Sequence, residues 1–343
     1  MEKYMCYLIN KLEEIMAIDS PSGYTKDAIT YIKNELDLLG YPSHLTTKGG
    51  LIADLGGKDE TNGIVIGAHV DTLGAMVQEI KSDGRLKITN IGGLNANNIE
   101  TENCRIITKF NGIYEGTCQL ENASLHVNDN YNETLRTFNN VEVVIDEPVF
   151  SKKDVEDLGI SVGDYVCMEP RTRITKSGYI KSRFLDDKLS AVIILAYAKY
   201  LKDEHVTPER KLYVHFTVYE EVGHGASASL PEGVTESLNI DMGCVGDGIE
   251  CNEHKVSICA KDSGGPYNYE VVTNLIKACK EGDVDYSVDI YPHYGSDVEA
   301  TLRAGYDIKH ALIGPGVYAS HSYERSHKDG ALNTLKLLKS YIG

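Results

Sequence analysis

The chain has 343 residues, 42 % of them hydrophobic, with 34 basic against 51 acidic side chains and a formal net charge of −17. That length excludes a single small domain and suits one large α/β unit or two domains. The acidic surface excludes nucleic acid and anionic membranes as natural partners, because both would be repelled.

In chain order, residues 4–16 carry apolar side chains at helical spacing with charges between them, which predicts an amphipathic helix. The N-terminus has no basic flank and no uninterrupted apolar core, so it does not read as a signal peptide. No run approaches the roughly 20 apolar residues of a membrane span. The turn DSPSGYT supplies capping residues, and a second helix is expected over 27–39, with Ile29, Ile32, Leu36 and Leu39 on one face. Short strands follow at 51–55 and 64–70. From about residue 73 to 174 the texture changes to short alternating runs such as LKITNIGGL, CRIITKF, VEVVID and GDYVCM, with one short helical stretch in SKKDVEDLG. This reads as a separate β-rich insertion.

The helix–strand rhythm then resumes. Helices are expected over 188–201, 267–280, 297–304 and 329–341. Strands are expected over 212–219, 238–245, 256–261, 286–291 and 308–313. Such alternation implies a sheet covered by helices on both faces. The organisation is therefore a first part over 1–72, an insertion over 73–174 and a second part over 175–343. The eight cysteines include no C-x-x-C pair. They read as reduced, mostly buried thiols of a cytoplasmic protein.

Five polar elements lie at predicted strand ends or just beyond them. GAHVD places His69 and Asp71 two residues apart, on one face of an extended chain. A ligand histidine commonly gives its second ring N–H to a carboxylate, and H-x-D builds part of that arrangement. FLDDKLSAV opens a helix with Asp186 and Asp187, where helix capping explains one acid but does not require two. FTVYEEVGHG ends a strand in Glu220 and Glu221. Adjacent side chains on a strand point to opposite faces, so Glu220 and Glu221 are expected to take different tasks. IDMG brings Asp241, and ASHSYERSH brings His321 and His327.

In open α/β sheets, ligands bind beyond the C-terminal strand ends. Two histidines with several carboxylates there suit two divalent ions sharing a water, with a free glutamate to carry its proton. The turn GHGASA offers a rival: it resembles a G-x-G-x-x-A dinucleotide fingerprint, with Asp241 near the expected acidic position. A glycosidase pair is a further rival, but it needs no metal histidines. A structural zinc site would favour cysteine.

The segments AHVDTLGAMV, FLDDKLSAV, YEEVGHGA, IDMG, YGSDVEATLRAG and HALIGPGVYASHSYERSH resemble the M42 family of metallo-aminopeptidases, over positions 68 to 327. The resemblance implies a three-layer αβα catalytic domain of the zinc-peptidase type with an inserted small β-barrel-like domain used for dimerisation. It implies hydrolysis of the N-terminal residue of short peptides by two divalent ions, zinc or cobalt, with a bridging water. By motif, His69, Asp186 and Asp241 would hold one ion, and Asp186, Glu221 and His321 the other. Glu220 would be the general base, Asp71 would orient His69, and the Asp186–Asp187 peptide would be cis. His293, Ser296 and Asp297, in YPHYGSD, would lie near the substrate. Dimers assembling to a dodecamer are expected. Two positions depart from the family pattern: Lys188 replaces an arginine, and HSYE lacks a proline. His327 and Asp247 therefore compete with His321 and Asp241. The same chemistry would also serve a deacylase acting on N-acylated amino acids or peptides.

Overall fold

A computed structural model describes residues 1–343. The chain divides into two compact units, Met1–Asp71 with Arg171–Gly343, and Thr72–Pro170.

The first unit is built on a 12-stranded sheet. Its centre is four parallel strands: Arg210–Thr217, Asp59–His69, Val234–Ile240 and Lys309–Tyr318. These carry buried apolar runs, as strands covered on both faces must. Register fixes their ends together. Thr217 lies opposite His69 and Ile240 opposite Ile313, so the polar residues that follow emerge along one edge.

The covering helices follow from spacing. In Met5–Met16, Leu8, Leu12 and Ile15 recur at helical intervals and are buried. Each contributes about 1.5–3 kcal/mol relative to exposure. Lys26–Leu39 ends at Gly40, whose φ of +77° suits the left-handed cap only glycine adopts freely. Helix Leu185–Asp203 is buried almost all round and packs against Met5–Met16, Lys328–Ile342 and strand Asp59–His69. Lys188 at its start is itself buried, and its ammonium donates to the carbonyls of Ile18 (2.6 Å) and Ile15 (3.3 Å). The departure from arginine therefore carries a structural task, closing the C-terminus of the first helix.

The second unit holds a closed six-stranded barrel: Gly74–Ile80, Leu86–Ile91, Val141–Ile145, Ile113–Leu120, Asn103–Ile107 and Tyr165–Met168. Alternate residues fill it, including Leu86 and Ile88, Cys104 and Ile106, Cys118 and Leu120, Val141 and Val143. That two-residue period is what the alternating runs predicted. Ser151 caps the short helix Lys152–Asp157 through a side-chain bond to Asp154 N. All eight cysteines of the chain are unpaired.

Two expectations are corrected. The run 238–245 is broken into Val234–Ile240 and Gly243–Val245, because Asp241 leaves the first strand to enter the site. The strand before the paired glutamates stops at Thr217, and Glu220–Val222 is a single 3₁₀ turn. Strand alternation therefore does not separate Glu220 from Glu221. Successive residues of a turn with three residues per revolution diverge by about 120°.

Candidate active site

His69 ends its strand with 2 % of its surface exposed. Its Nδ1 lies 2.8 Å from the main-chain oxygen of Asp71. That carbonyl takes the Nδ1 N–H, which fixes the ring with Nε2 aimed at the cluster. Nε2 lies 3.0 Å from Asp186 Oδ1, 3.6 Å from Glu220 Oε2 and 3.9 Å from Asp241 Oδ2. From the other side, His321 Nε2 lies 3.5 Å from Asp186 Oδ2 and 3.6 Å from Glu221 Oε2. Asp186 thus turns one oxygen to each histidine. The Asp186–Asp187 peptide is cis. Asp187, wholly buried, accepts the His69 main-chain N–H at 3.3 Å.

The expected role of Asp71 changes in detail. Its carboxylate stands 3.6 Å from His69 Nδ1, but it is spent on the glutamate turn. Oδ1 accepts Glu220 N at 3.1 Å, and Oδ2 accepts Glu221 N at 3.3 Å and Ser22 Oγ at 2.5 Å. One acid therefore fixes the backbone of both glutamates, and its own main chain fixes the histidine. Glu324 does similar work on the far side, accepting the main-chain N–H groups of Asp186 and His321, each at 3.1 Å. The motif HSYE supplied that acid, but its two partners are 3 and 138 positions away. Asp241 is held by Ile313 O at 2.9 Å from its N–H. It also sits against Gly314, where any Cβ would come within 1.4 Å of the Asp241 carbonyl oxygen.

The electrostatics are those of too many acids in one buried place. Burial, then the charges of neighbouring acids such as Asp241, Asp297 and Asp186, push Glu220 well above the ordinary carboxylate range. Glu221 is raised by burial and Asp186. Asp241 is pushed up to about 7 by burial and Asp186, and Glu324 to about 8 by the same two causes. Asp186 goes the other way: burial opposes its charge, but hydrogen bonds from His321 and His69 hold it well below the usual range. Burial disfavours charge on His69, yet Glu220, Asp186 and Asp241 outweigh it and raise the imidazole. Glu221 Oε1 is buried with no hydrogen-bond partner. A buried carboxylate oxygen without a donor, among oxygen and imidazole ligands, is what a divalent cation satisfies. Two sets of three ligand atoms, His69–Asp186–Glu221 and His69–Asp187–Asp241, each lie within 4.8 Å of one another. The residues present fit a divalent metal.

The competing ligands fall outside. Asp247 is exposed on a turn. His327 caps helix Lys328–Ile342, its Nδ1 accepting Asp329 N at 3.1 Å while Nε2 meets Ser177 O at 2.8 Å. GHGASA opens no helix; the next element is strand Val234–Ile240. A dinucleotide fingerprint needs a helix N-terminus there, so that rival loses its structural context.

A cleft of about 490 Å³ opens over the cluster, with His293, Tyr294, Ser296 and Asp297 on its wall. His293 is exposed to it. Ser296 Oγ lies 3.2 Å from the Tyr267 hydroxyl. Asp297 is occupied: it accepts from Thr217 Oγ and from Ala226 N at 2.7 Å, and so braces the loop after the glutamates. Tyr294 brings a hydroxyl that is shut off from solvent and makes no hydrogen bond of normal geometry. Burial, Asp241 and Asp186 raise its pKa well above that of a free phenol.

A family model for M42 glutamyl aminopeptidase matches residues 49–337. A Bacillus subtilis (strain 168) protein, YhfE, named provisionally as an aminopeptidase, is 44 % identical over 333 residues, covering 96 % of each chain. Among solved structures, an aminopeptidase of the archaeon Desulfurococcus kamchatkensis superposes with a TM-score of 0.88 at 20 % identity, covering 99 % of this chain and 95 % of that one. The Pyrococcus horikoshii TET1 peptidase, described as assembling into a tetrahedron or a large octahedral shell, gives 0.85 at 21 %, covering 97 % and 98 %.

Proposed function

The chain belongs to the M42 glutamyl aminopeptidase family, and from that premise we propose that it is a metal-dependent aminopeptidase removing the N-terminal residue of short peptides. It is a hydrolase of peptide bonds. The observation that carries the metal dependence is the unpartnered, buried Glu221 Oε1 in a cluster where carboxylates outnumber the groups that could neutralise them.

In this reading His69, Asp186 and Asp241 hold one divalent ion, zinc or cobalt, and Asp186, Glu221 and His321 hold a second. Bound there, such ions supply Lewis acidity, which acidifies a water and polarises an amide carbonyl. The chain's own residues do the rest. Glu220, raised above the usual carboxylate range by burial and by its acidic neighbours, is poised to take a proton on Oε2 and return it to the leaving amine. Asp71 holds the Glu220 and Glu221 backbone in place, so the base and a ligand are aimed by one group. Glu324 does the same for Asp186 and His321. The cleft's surplus of acids favours a substrate bearing a free ammonium group. His293, Ser296 and Asp297 line the substrate side, with Asp297 acting through the loop it braces.

The β-rich insertion, 73–174, is proposed as the dimerisation domain, with 1–72 and 175–343 forming the catalytic domain. The assembly described for the TET1 peptidase, a tetrahedron or a large octahedral shell, supports a homo-oligomer here, for which we propose dimers reaching a dodecamer. A cytoplasmic setting fits eight unpaired cysteines, and no helix is long and apolar enough to cross a membrane.

The test is release of N-terminal residues from free and N-acetylated peptides, after chelation and after restoring zinc or cobalt, with Glu220→Gln alongside. Metal-dependent release from free peptides is expected, with kcat in the variant reduced by about 10²–10⁴-fold while metal stays bound. Cleavage of acylated substrates alone would move the assignment to a deacylase, and no cleavage by metal-loaded wild type would refute it.

A further inference from the structure

Tyr294 belongs to no ligand set and no proton path, yet it is the least satisfied polar group in the cleft wall. Its hydroxyl is excluded from water and lacks a hydrogen bond of normal geometry. A buried hydroxyl of this kind is a donor that must find an acceptor or bear the full cost of leaving water. Its charged neighbours are Asp241, Asp186 and Glu220. Of these, Asp241 is the carboxylate it meets, and the two line the same cleft.

The ring is not free to turn elsewhere. It packs edge-on against Tyr291, with centroids 5.2 Å apart. Tyr291 is fully buried and is tied by its own hydroxyl to Ser257, in strand Val256–Lys261. The Tyr294 carbonyl accepts both Ser263 N, at 3.0 Å, and Ser263 Oγ. Ser257, Tyr291 and Tyr294 thus form a strut from the sheet to the Asp241 side of the cluster. Asp241 needs such a partner. Its Oδ1 accepts Met242 N at 2.6 Å, and its Oδ2 faces His69 Nε2 only at 3.9 Å. Asp186, the carboxylate that meets both histidines, is already held through its backbone by Glu324.

We propose that Tyr294 is a positioning residue that donates its hydroxyl hydrogen bond to Asp241 and thereby sets the affinity of the His69–Asp241 half of the centre separately from the His321–Glu221 half. This rests on the dinuclear reading above. A ligand carboxylate held by an outer donor loses about 10–100-fold in metal affinity when that donor is removed.

The experiment is a cobalt titration of metal-stripped Tyr294→Phe, full-length, followed by cobalt d–d absorption and by dialysis stoichiometry. Phenylalanine keeps the ring and its packing on Tyr291. The expected result is one binding step weakened by about 10–100-fold and the other unchanged, with kcat recovering at saturating cobalt. The double variant with Asp241→Asn should bind no worse than Asp241→Asn alone. Wild-type affinity for both ions in Tyr294→Phe overturns the proposal. So does a fall in kcat that saturating cobalt does not restore, since the hydroxyl would then act on the reacting peptide. Equal weakening of both steps also overturns it. Wild-type protein that binds fewer than two ions is a different failure, and removes the dinuclear reading itself.

Discussion

Two histidine–carboxylate clusters, one around His69 and one around His327, occupy the larger compact unit, and by distance alone they look alike. His69 with Asp186 and Glu221 is one; His254 with His327 and Asp329 is the other, and each brings three ligand atoms within 4.8 Å of one another. The difference lies in what is left over. In the second group every side chain has conventional work. His327 caps a helix, its second nitrogen meets Ser177 O, and His254 Nδ1 pairs with the Asp329 carboxylate at 2.9 Å, at a largely exposed position. In the first group the acids are buried and crowd one another, and Glu221 Oε1 has no donor. Unspent hydrogen-bonding capacity in a dry place marks a metal site; nearness does not.

Substituting Asp186 would test that contrast most severely. It faces both histidines, so Asp186→Asn should weaken binding of both ions by more than the about 100-fold typical of an outer-shell partner, with activity lost in parallel. Calorimetric titration with zinc checks this, and retention of either ion at full affinity would break the comparison. Glu324→Gln keeps one oxygen acceptor for the Asp186 and His321 N–H groups and sets an amide NH2 against the other. We expect a smaller loss, about 10-fold in zinc affinity, with fold and oligomeric state unchanged.

The third prediction concerns pH in the metal-stripped protein. Asp241 and Glu324 have folded pKa values raised to about 7 and about 8, against ordinary unfolded carboxylates near 4. The folded state therefore binds more protons than the unfolded state across that interval, and stability falls as pH rises. His69, also raised, adds to the fall above pH 6.5. His215, lowered to about 4 by burial and by Lys48, works the opposite way but is finished by pH 6.5. The metal-stripped protein should thus lose thermal stability between about pH 6.5 and 8, and zinc should abolish the loss. A Tm that is flat or rising over that window would show that the carboxylates are not forced together without metal.

The smallest effect belongs to the second group. His327→Ala removes a cap, so we expect about 1 kcal/mol less stability by urea unfolding, with kcat/KM within about twofold and metal stoichiometry unchanged. Loss of a metal ion in that variant would erase the distinction between the two clusters.

Much of this is legible in the sequence. Apolar spacing at Leu8, Leu12 and Ile15 and the two-residue alternation through the barrel are local, short-range signals, because helix and strand periods are set by the backbone itself. The polar strand-ends His69, Glu220, Glu221 and Asp241 could be picked out because a charged group directly after a buried strand needs a reason. Register and turn geometry could not be read. Nothing in FTVYEE said that the strand stops at Thr217, since a 3₁₀ turn and a strand end share the same residues there. Asp71's carboxylate went to main-chain groups 149 and 150 positions away, and Glu324's to one 138 away. Hydrogen bonds of that span leave no periodic trace. The sequence by itself determined which residue types could gather at the C-terminal edge of the sheet. Tertiary structure alone decided which carboxylates were left without donors, because burial and partner supply are properties of the packed molecule and of no segment within it.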